Sequence, residues 1–435
     1  MTTYPEPVRV DFVRGNTTGL EIPAHAAALK EAGADFLTQA FRRFGSLPPT
    51  NAVVNITRCE SFPGGNSGHK VLLSVQYAEP ASGLHNDLFV KFSRDFDDAF
   101  RDRRRYELEA EVRFGTLARQ PDFPISVPIA YFADFEHVSG TGLLITQRIA
   151  FGSGDIEPMH PKCMDQSLSS PIEYYRSVVL TLARLVAAHK SGRVSFQVEA
   201  LFPFDPVAAA AEDAIPFDEA QLEERVDRYA AFAARSPQLL PPNVASPSFI
   251  QRLRRDVVRY RRHEAAVKRF LQSDRDYIAL CHYNANIDNA WFWRDASGGL
   301  HCGLLDWGRV RQMNVAYSLW GSLCGASLSL WEHHIDELLT LFVHEVHALG
   351  GPRLELSRLK VHLHFYVATM GLATLIDAPA LVLSRLPEAA DAASPLDPVF
   401  QRDEVARTFL HVFTTFMNLW QTQDIGATLD RWLRA

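Results

Sequence analysis

The strongest constraint on this chain is a change of pattern partway along it. In the first third, short β-branched and apolar runs alternate with turn-rich segments: AVVNITRC (52–59), ESFPGGNSGH, KVLLSVQYA (70–78), EPASGLHND, then LFVKFS (88–93). Runs of this kind, bounded by Gly, Pro, Asn and Asp, predict strands joined by turns. Two more follow, a loop entering a strand over 121–136 and GTGLLITQRI (140–149), after a polar helical segment at 96–120. Beyond about residue 150 the apolar positions recur with a helical period, over 175–192, 220–236 and 247–272, and again from about 315 to 435. A pattern of one period does not settle into the other element. The chain is therefore expected to be α+β and built of two lobes. Residues 1–149 form the first, with a helix over 25–44 ahead of an antiparallel sheet. Residues 150–435 form a mainly helical second, with 193–219 as irregular connection.

The helical part is interrupted once. YIALCHYNANIDNAWFWRD (277–295) reads as strand, loop and strand, and LHCGLLDWG (300–308) as the return strand. This segment sets His282, Asn284 and Asn289 on one short loop and Asp306 at the end of a hairpin. Phosphoryl transfer needs such a set. It is largely positioning and charge neutralisation, with a residue facing the acceptor hydroxyl and with neutral and anionic oxygen ligands for metal. In the catalytic-loop pattern H-x-D-x-x-x-x-N, followed after a hairpin by Asp-aromatic-Gly, those groups fall at the same spacings.

Composition removes several other classes. Lys and Arg number 44 against 51 Asp and Glu, a formal charge of −7. A mildly acidic chain has no global attraction for nucleic acid or an anionic membrane, and neither is expected as a partner. No apolar run is long enough for a spanning helix, and the opening MTTYPEPVRVDFVRG lacks the basic-then-apolar order of a secretory signal. Five scattered cysteines without a C-x-x-C pair predict neither a disulfide framework nor a zinc knuckle, and point to the cytoplasm. There is no G-x-S-x-G elbow and no G-x-G-x-x-G after a strand, so hydrolase and dehydrogenase readings fall away. His344 and His347 stand three apart rather than four and read as ordinary helix histidines. The arginines of 101–105 and of 252–262 read as solvated helix faces.

The His282–Asn289 string with Leu305-Asp306-Trp307-Gly308 resembles the aminoglycoside and choline phosphotransferase branch of the protein-kinase-like superfamily, nearest its ecdysteroid-kinase-like group. The resemblance spans roughly residues 35–330 and implies a two-lobed protein-kinase-like fold with ATP and Mg2+ in the cleft. It implies that the loop carrying Gly64, Gly65, Ser67 and Gly68 covers the phosphates and that Lys91 on the third strand holds them. Glu111 is the helical partner assigned to Lys91, with Glu107 and Glu109 as rivals. Leu144 to Arg148, including Gln147, would meet the adenine edge, and Asn289 with Asp306 would bind the metal. Leu182 to His189 resembles the family's buried helix, His282 braces the loop, and Trp307 is a packing residue or a wall of the acceptor pocket. The acceptor is expected to be a small hydroxylated molecule.

The pattern breaks in two places. Asn284 stands where the family has Asp. A carboxamide keeps an acceptor oxygen but takes no proton at neutral pH. Ser318 stands where an Asp commonly anchors the catalytic loop, with Asn314 as the nearest substitute. Three readings follow: an active small-molecule kinase, a nucleotide-binding pseudokinase, and nucleotidyl transfer on the same fold.

Overall fold

The computed structural model describes residues 10–63 and 68–434. The chain divides into two compact units, one of Met1–Glu157, Val194–Leu201 and Gly303–Arg311, the other of Pro158–Arg193, Phe202–Cys302 and Gln312–Ala435. The division falls a few residues after position 149. The Asp306 turn groups with the sheet rather than with the helices, because Trp307 is tied to the helix that flanks the sheet.

The first unit opens with a two-stranded hairpin, β1 (Phe12–Arg14) with β2 (Glu21–Pro23), that the sequence did not announce. Asp134, fully buried, holds its turn by accepting from Thr17 N at 3.0 Å, Thr18 N at 2.9 Å and the Thr18 hydroxyl. Helix α1 (Ala26–Phe44) begins where His25 Nδ1 accepts from Ala28 N and ends at Gly45 in the left-handed region.

The sheet consists of β3 (Val53–Ser61), β4 (Lys70–Tyr77), β5 (Asp87–Phe92), β6 (Ala130–Glu136) and β7 (Thr141–Gln147). All neighbours are antiparallel, in the order β3-β4-β5-β7-β6. Helix α2 (Arg101–Leu117) lies between β5 and β6 in the chain. One sheet face buries Val71, Val90, Phe132 and Ile145 with Leu29, Leu37 and Phe41 of α1. The other sets Ala133, Phe135 and Leu144 against Leu108 and Val112 of α2. Cover on both faces is why β5, β6 and β7 read as nearly continuous apolar runs.

Arg103 and Arg104 of α2 lie on the expected solvated face, whereas Arg101 and Arg105 depart from it. Arg101 is buried and donates to Arg94 O, Ser139 O and Thr141 Oγ1, while Arg105 donates to His137 O and Val138 O. Their guanidinium groups satisfy carbonyls in the β6–β7 turn, a partner no local pattern shows.

The second unit is helical: α3 (Pro171–Lys190), α5 (Pro206–Ala211), α6 (Glu219–Arg235), α7 (Pro242–Ala245) and α8 (Pro247–Ser273), with the short α4 (Val198–Leu201) grouped instead with the first unit. The 193–219 stretch thus holds two short helices. Then come β8 (Ile278–Cys281), β9 (Ala290–Arg294), β10 (Leu300–Leu304) and β11 (Arg311–Asn314), where β9 pairs with β10 and β8 with β11. Helices α9 (Val315–Leu323), α10 (Leu328–His333), α11 (Ile335–Ala348), α12 (Leu356–Thr374), α13 (Ala378–Arg385), α14 (Glu404–Thr422) and α15 (Ile425–Arg434) complete it.

Helix α3 is buried along most of its length, and His189 Nδ1 at its end accepts from Leu280 N at 3.0 Å, fixing it to β8. The arginine-rich α8 is laced to its neighbours by Arg254 to Asp227, Arg262 to Glu219 and Arg259 to Asp430. Among the described residues no single helix is long and apolar enough to cross a membrane.

Candidate active site

In the first unit the site begins at Lys91, the fifth residue of β5. Pairing with β4 and β7 on either side holds the strand rigid. Its ammonium is buried and donates to Glu111 Oε1 at 2.6 Å and to Asp306 Oδ1 at 2.8 Å. Burial by itself would lower the Lys91 pKa, but the two carboxylates hold it well above the ordinary lysine value. Burial pushes the Glu111 carboxyl up, against the pull of Lys91 and of the Trp307 N–H. That N–H donates to Glu111 Oε1 at 3.2 Å, so one carboxylate oxygen joins β5, α2 and the Asp306 turn.

The rivals of Glu111 point to other partners. Glu107 sits beside Arg104 at 3.7 Å, and Glu109 pairs with Arg113. A helix turns about 100° per residue. Residue 109 therefore lies on the far side of α2, while 107 and 111 share a face and only the packing separates them.

Asp306 takes up a left-handed backbone conformation, φ 60°, uncommon for a residue with a side chain. Strained backbone of this kind gathers at functional positions. Its side chain is 43% exposed, unlike Lys91 and Glu111. The next residue is the anchor: the Trp307 ring stacks on Phe114 of α2 with centroids 3.8 Å apart, and its indole N–H donates to Leu304 O. Trp307 is thus a buried brace of the turn.

Lys70 is a basic group the sequence reading missed. It is the direct cross-strand partner of Lys91, and it too is buried. Burial and the neighbouring Lys91 ammonium push its pKa down, against Asp306 and Glu111. The signal was the position itself: Lys70 lies at the first position of the strand that leaves the Gly-rich loop.

Gly64, Gly65 and Ser67 lie outside the described residues. Gly68 is described. It has φ +89°, and an added Cβ there would stand 2.1 Å from Phe92 O, so close approach to β5 requires glycine. Gln147 is the last residue of β7, and its N–H donates to Ile129 O at 2.7 Å. Leu144 to Gln147 are therefore sheet, and Arg148 N–H makes one further bond to Asp87 O of β5 at 3.1 Å.

In the second unit the loop after β8 is held by a set of short bonds. His282 Nδ1 accepts from Asn284 N at 3.0 Å. Ser318 Oγ on α9 donates to His282 O at 2.6 Å, so the serine does carry an anchoring bond. Asn314 does not reach the loop: it donates to Leu271 O, meets His362 Nδ1 and caps α9 through Ala316 N. Asn289 Nδ2 donates to Asn284 O at 2.8 Å, and Asn284 Oδ1 accepts from Asn286 Nδ2 at 2.5 Å. Asp288 turns toward Lys162, at 3.7 Å. Gly321 of α9 lies so near the loop that an added Cβ would fall 1.8 Å from Tyr283 O.

The donors named for a divalent ion are the carboxylate of Asp306 in the first unit and the carboxamide of Asn289 in the second. Both are hard oxygen ligands of the kind Mg2+ takes together with phosphate oxygens and water. No cluster of three or more His, Cys, Asp or Glu side chains suited to a metal occurs among the described residues.

No family model matches the chain, and no curated protein matches it. Solved structures similar to it include a choline kinase from Cryptosporidium parvum Iowa II, at 12% identity, covering 87% of this chain and 94% of that one, with a TM-score of 0.42. A spectinomycin phosphotransferase bound to ADP and spectinomycin matches at 10% identity, 88% and 95% coverage, and a TM-score of 0.40. A microcompartment-associated aminopropanol kinase matches at 12% identity, 84% and 93% coverage, and a TM-score of 0.40.

Proposed function

We propose that this chain is a phosphotransferase that moves a phosphoryl group from ATP, with Mg2+, to a hydroxyl of a small molecule. The observation that carries the reading is Lys91: a buried ammonium bonded at once to a helix carboxylate and to Asp306, a residue 215 positions away in the chain. The buried Lys91–Glu111 pair is costly to bury and stabilises poorly for its cost, and a lysine–glutamate pair beside an aspartate free to take a metal is what kinase phosphoryl transfer uses. In this reading Lys91 and Lys70 receive the α- and β-phosphates, and Glu111 orients Lys91. Asn289 and Asp306 hold the metal ion, which neutralises phosphate charge. Asn284 orients the acceptor hydroxyl by its carboxamide, with His282 and Ser318 keeping the loop in place. Nearness to the ecdysteroid-kinase-like group and a cytoplasmic location belong to the same reading.

Asn284 favours a second reading, a nucleotide-binding pseudokinase with a regulatory role. Its Oδ1 is already engaged by Asn286, and it offers no base. General-base help is worth about 10²–10⁴-fold in rate, so transfer through Asn284 is expected to be slow while binding is intact.

The test is a thermal-shift titration with ATP, with and without Mg2+, on the wild type and on Asp306→Ala. A Mg2+-dependent rise in melting temperature, lost in Asp306→Ala, supports the nucleotide site, and no response to any nucleotide sinks it. An acceptor screen with wild type and Asn284→Asp then separates the readings. ADP release dependent on a hydroxylated acceptor, raised in Asn284→Asp, supports phosphotransfer. Binding without turnover in either protein supports the pseudokinase, and pyrophosphate with an adenylated product replaces both by nucleotidyl transfer.

A further inference from the structure

The second unit contains a pocket that the reading above does not use. It encloses about 440 Å³, within the usual range of small-molecule sites. It lies between the segment before α3, the start of α10 and the first half of α14. Its walls are mainly apolar, with Met164, Leu168, Leu328, Phe400 and Leu410 among them. Cys163 of its lining is 3.5 Å from the point where an added Gly325 Cβ would stand, and Asn286 Oδ1 is 2.8 Å from the same point. The pocket thus borders the loop that carries Asn284.

Its polar groups differ in how far they are satisfied. Asp165 accepts from the Tyr175 hydroxyl at 3.0 Å and from Ser327 N at 2.9 Å. Both oxygens of Asp397 accept backbone N–H groups, from Val399 and Ala393. His411 Nε2 is engaged with Ala326 O at 2.9 Å. Two donors remain. The half-buried Arg407 has only Phe400 O, at 3.5 Å, forms no ion pair among the described residues, and leaves its buried Nε unmatched. The Thr414 hydroxyl, in the same wall and 8% exposed, has no hydrogen-bond partner among the described residues.

We propose that this pocket binds a small amphiphilic carboxylate, its head group on Arg407 beside Thr414 and its apolar body against Met164, Leu168, Leu328 and Leu410. The Asp165 and Asp397 carboxylates of the lining are already met by N–H and O–H donors, which leaves the single Arg407 guanidinium to match one negative charge and favours a carboxylate over a phosphate dianion. The planar fork of arginine suits two carboxylate oxygens. The apolar walls take a chain or ring rather than a sugar.

The experiment is isothermal titration of the nucleotide-free protein with octanoate, octan-1-ol and octylamine. Wild type, Arg407→Gln and Thr414→Val are compared, with folding checked by circular dichroism. Octanoate is expected to bind wild type, and octylamine to bind at least tenfold more weakly. A hydrogen bond to a charged group is worth about tenfold or more in affinity, so Arg407→Gln should lose that factor for octanoate and none for octan-1-ol. Thr414→Val removes an unmatched hydroxyl and should melt no lower than wild type while binding octanoate more weakly. No octanoate binding at millimolar concentration, equal or tighter binding of octylamine, or unchanged octanoate affinity in Arg407→Gln would overturn the proposal. None of these arms uses nucleotide, so failure of the phosphotransferase reading leaves this result readable.

Discussion

Lys70 and Lys91 stand directly opposite each other on neighbouring strands, both buried, with Glu111 and Asp306 beside them. Like charges facing across a sheet destabilise it. Two buried ammonium groups, a buried carboxylate and the exposed carboxylate of Asp306 make a site whose balance shifts when an anion arrives.

Replacing Lys70 with Met should relieve that repulsion. The nucleotide-free protein is expected to melt at or above the wild-type temperature, while ATP affinity measured by titration falls about tenfold, the value of one hydrogen bond to a charged group. A lower melting temperature with unchanged ATP affinity would assign Lys70 a purely structural role.

Removing Lys91 should act in the opposite direction. Lys91→Met leaves Glu111 buried with only the Trp307 N–H as donor among the described residues, and breaking a buried pair costs on the order of 3–5 kcal/mol. Urea unfolding should show that loss, and the double variant Lys91→Met/Glu111→Leu should recover most of it. A single variant as stable as wild type would mean that the pair contributes nothing to the fold.

Gly321→Ala should damage the catalytic loop without touching a catalytic side chain. Alanine is the better helix former, yet here its methyl would collide with Tyr283 O. Overpacking of this kind costs about 1–3 kcal/mol. The variant should melt lower than wild type and lose any turnover, while the ATP affinity that the proposed function assigns to Lys91 and Lys70 should be kept. A variant more stable than wild type would refute the close approach.

Acid stability should carry a histidine signature. Burial lowers the pKa of both His362 and His364 to about 4. As pH falls through 6.5 the unfolded chain takes up these protons, and the folded chain does so only near 4. Stability is therefore full above pH 6.5, falls between 6.5 and 4, and levels off below. Each group accounts for on the order of 3 kcal/mol of that fall at most. His362→Phe should keep the ring contact with Tyr277 and flatten the slope in urea melts at pH 7, 5.5 and 4.5. An unchanged slope would remove His362 as a cause.

Much of the fold was legible because its signals are local. β-Branched runs bounded by turn residues marked β3, β4, β5 and β7 within a few residues, and helical periodicity marked α1, α3, α6 and α8. The β1–β2 hairpin escaped notice because a buried carboxylate 116 residues away stabilises it. The pairing of β11 with β8 was hidden for the same kind of reason: strand partners are chosen in space.

The candidate site divides along the same line. By itself the sequence determined which residues are available: a lysine on the third strand of the sheet, glutamates on the next helix, and a His-Asn-Asn loop with an Asp after a hairpin. Their spacing along the chain is chemistry enough to suggest phosphoryl transfer. Only the tertiary structure decided that Glu111, rather than Glu107 or Glu109, meets Lys91, and that Lys70 stands beside it. It also decided that Ser318, not Asn314, holds His282 O, and that Arg101 turns inward. The reason is physical. A helix or strand period places a side chain on a face, but which group it meets there depends on packing against elements tens to hundreds of residues away.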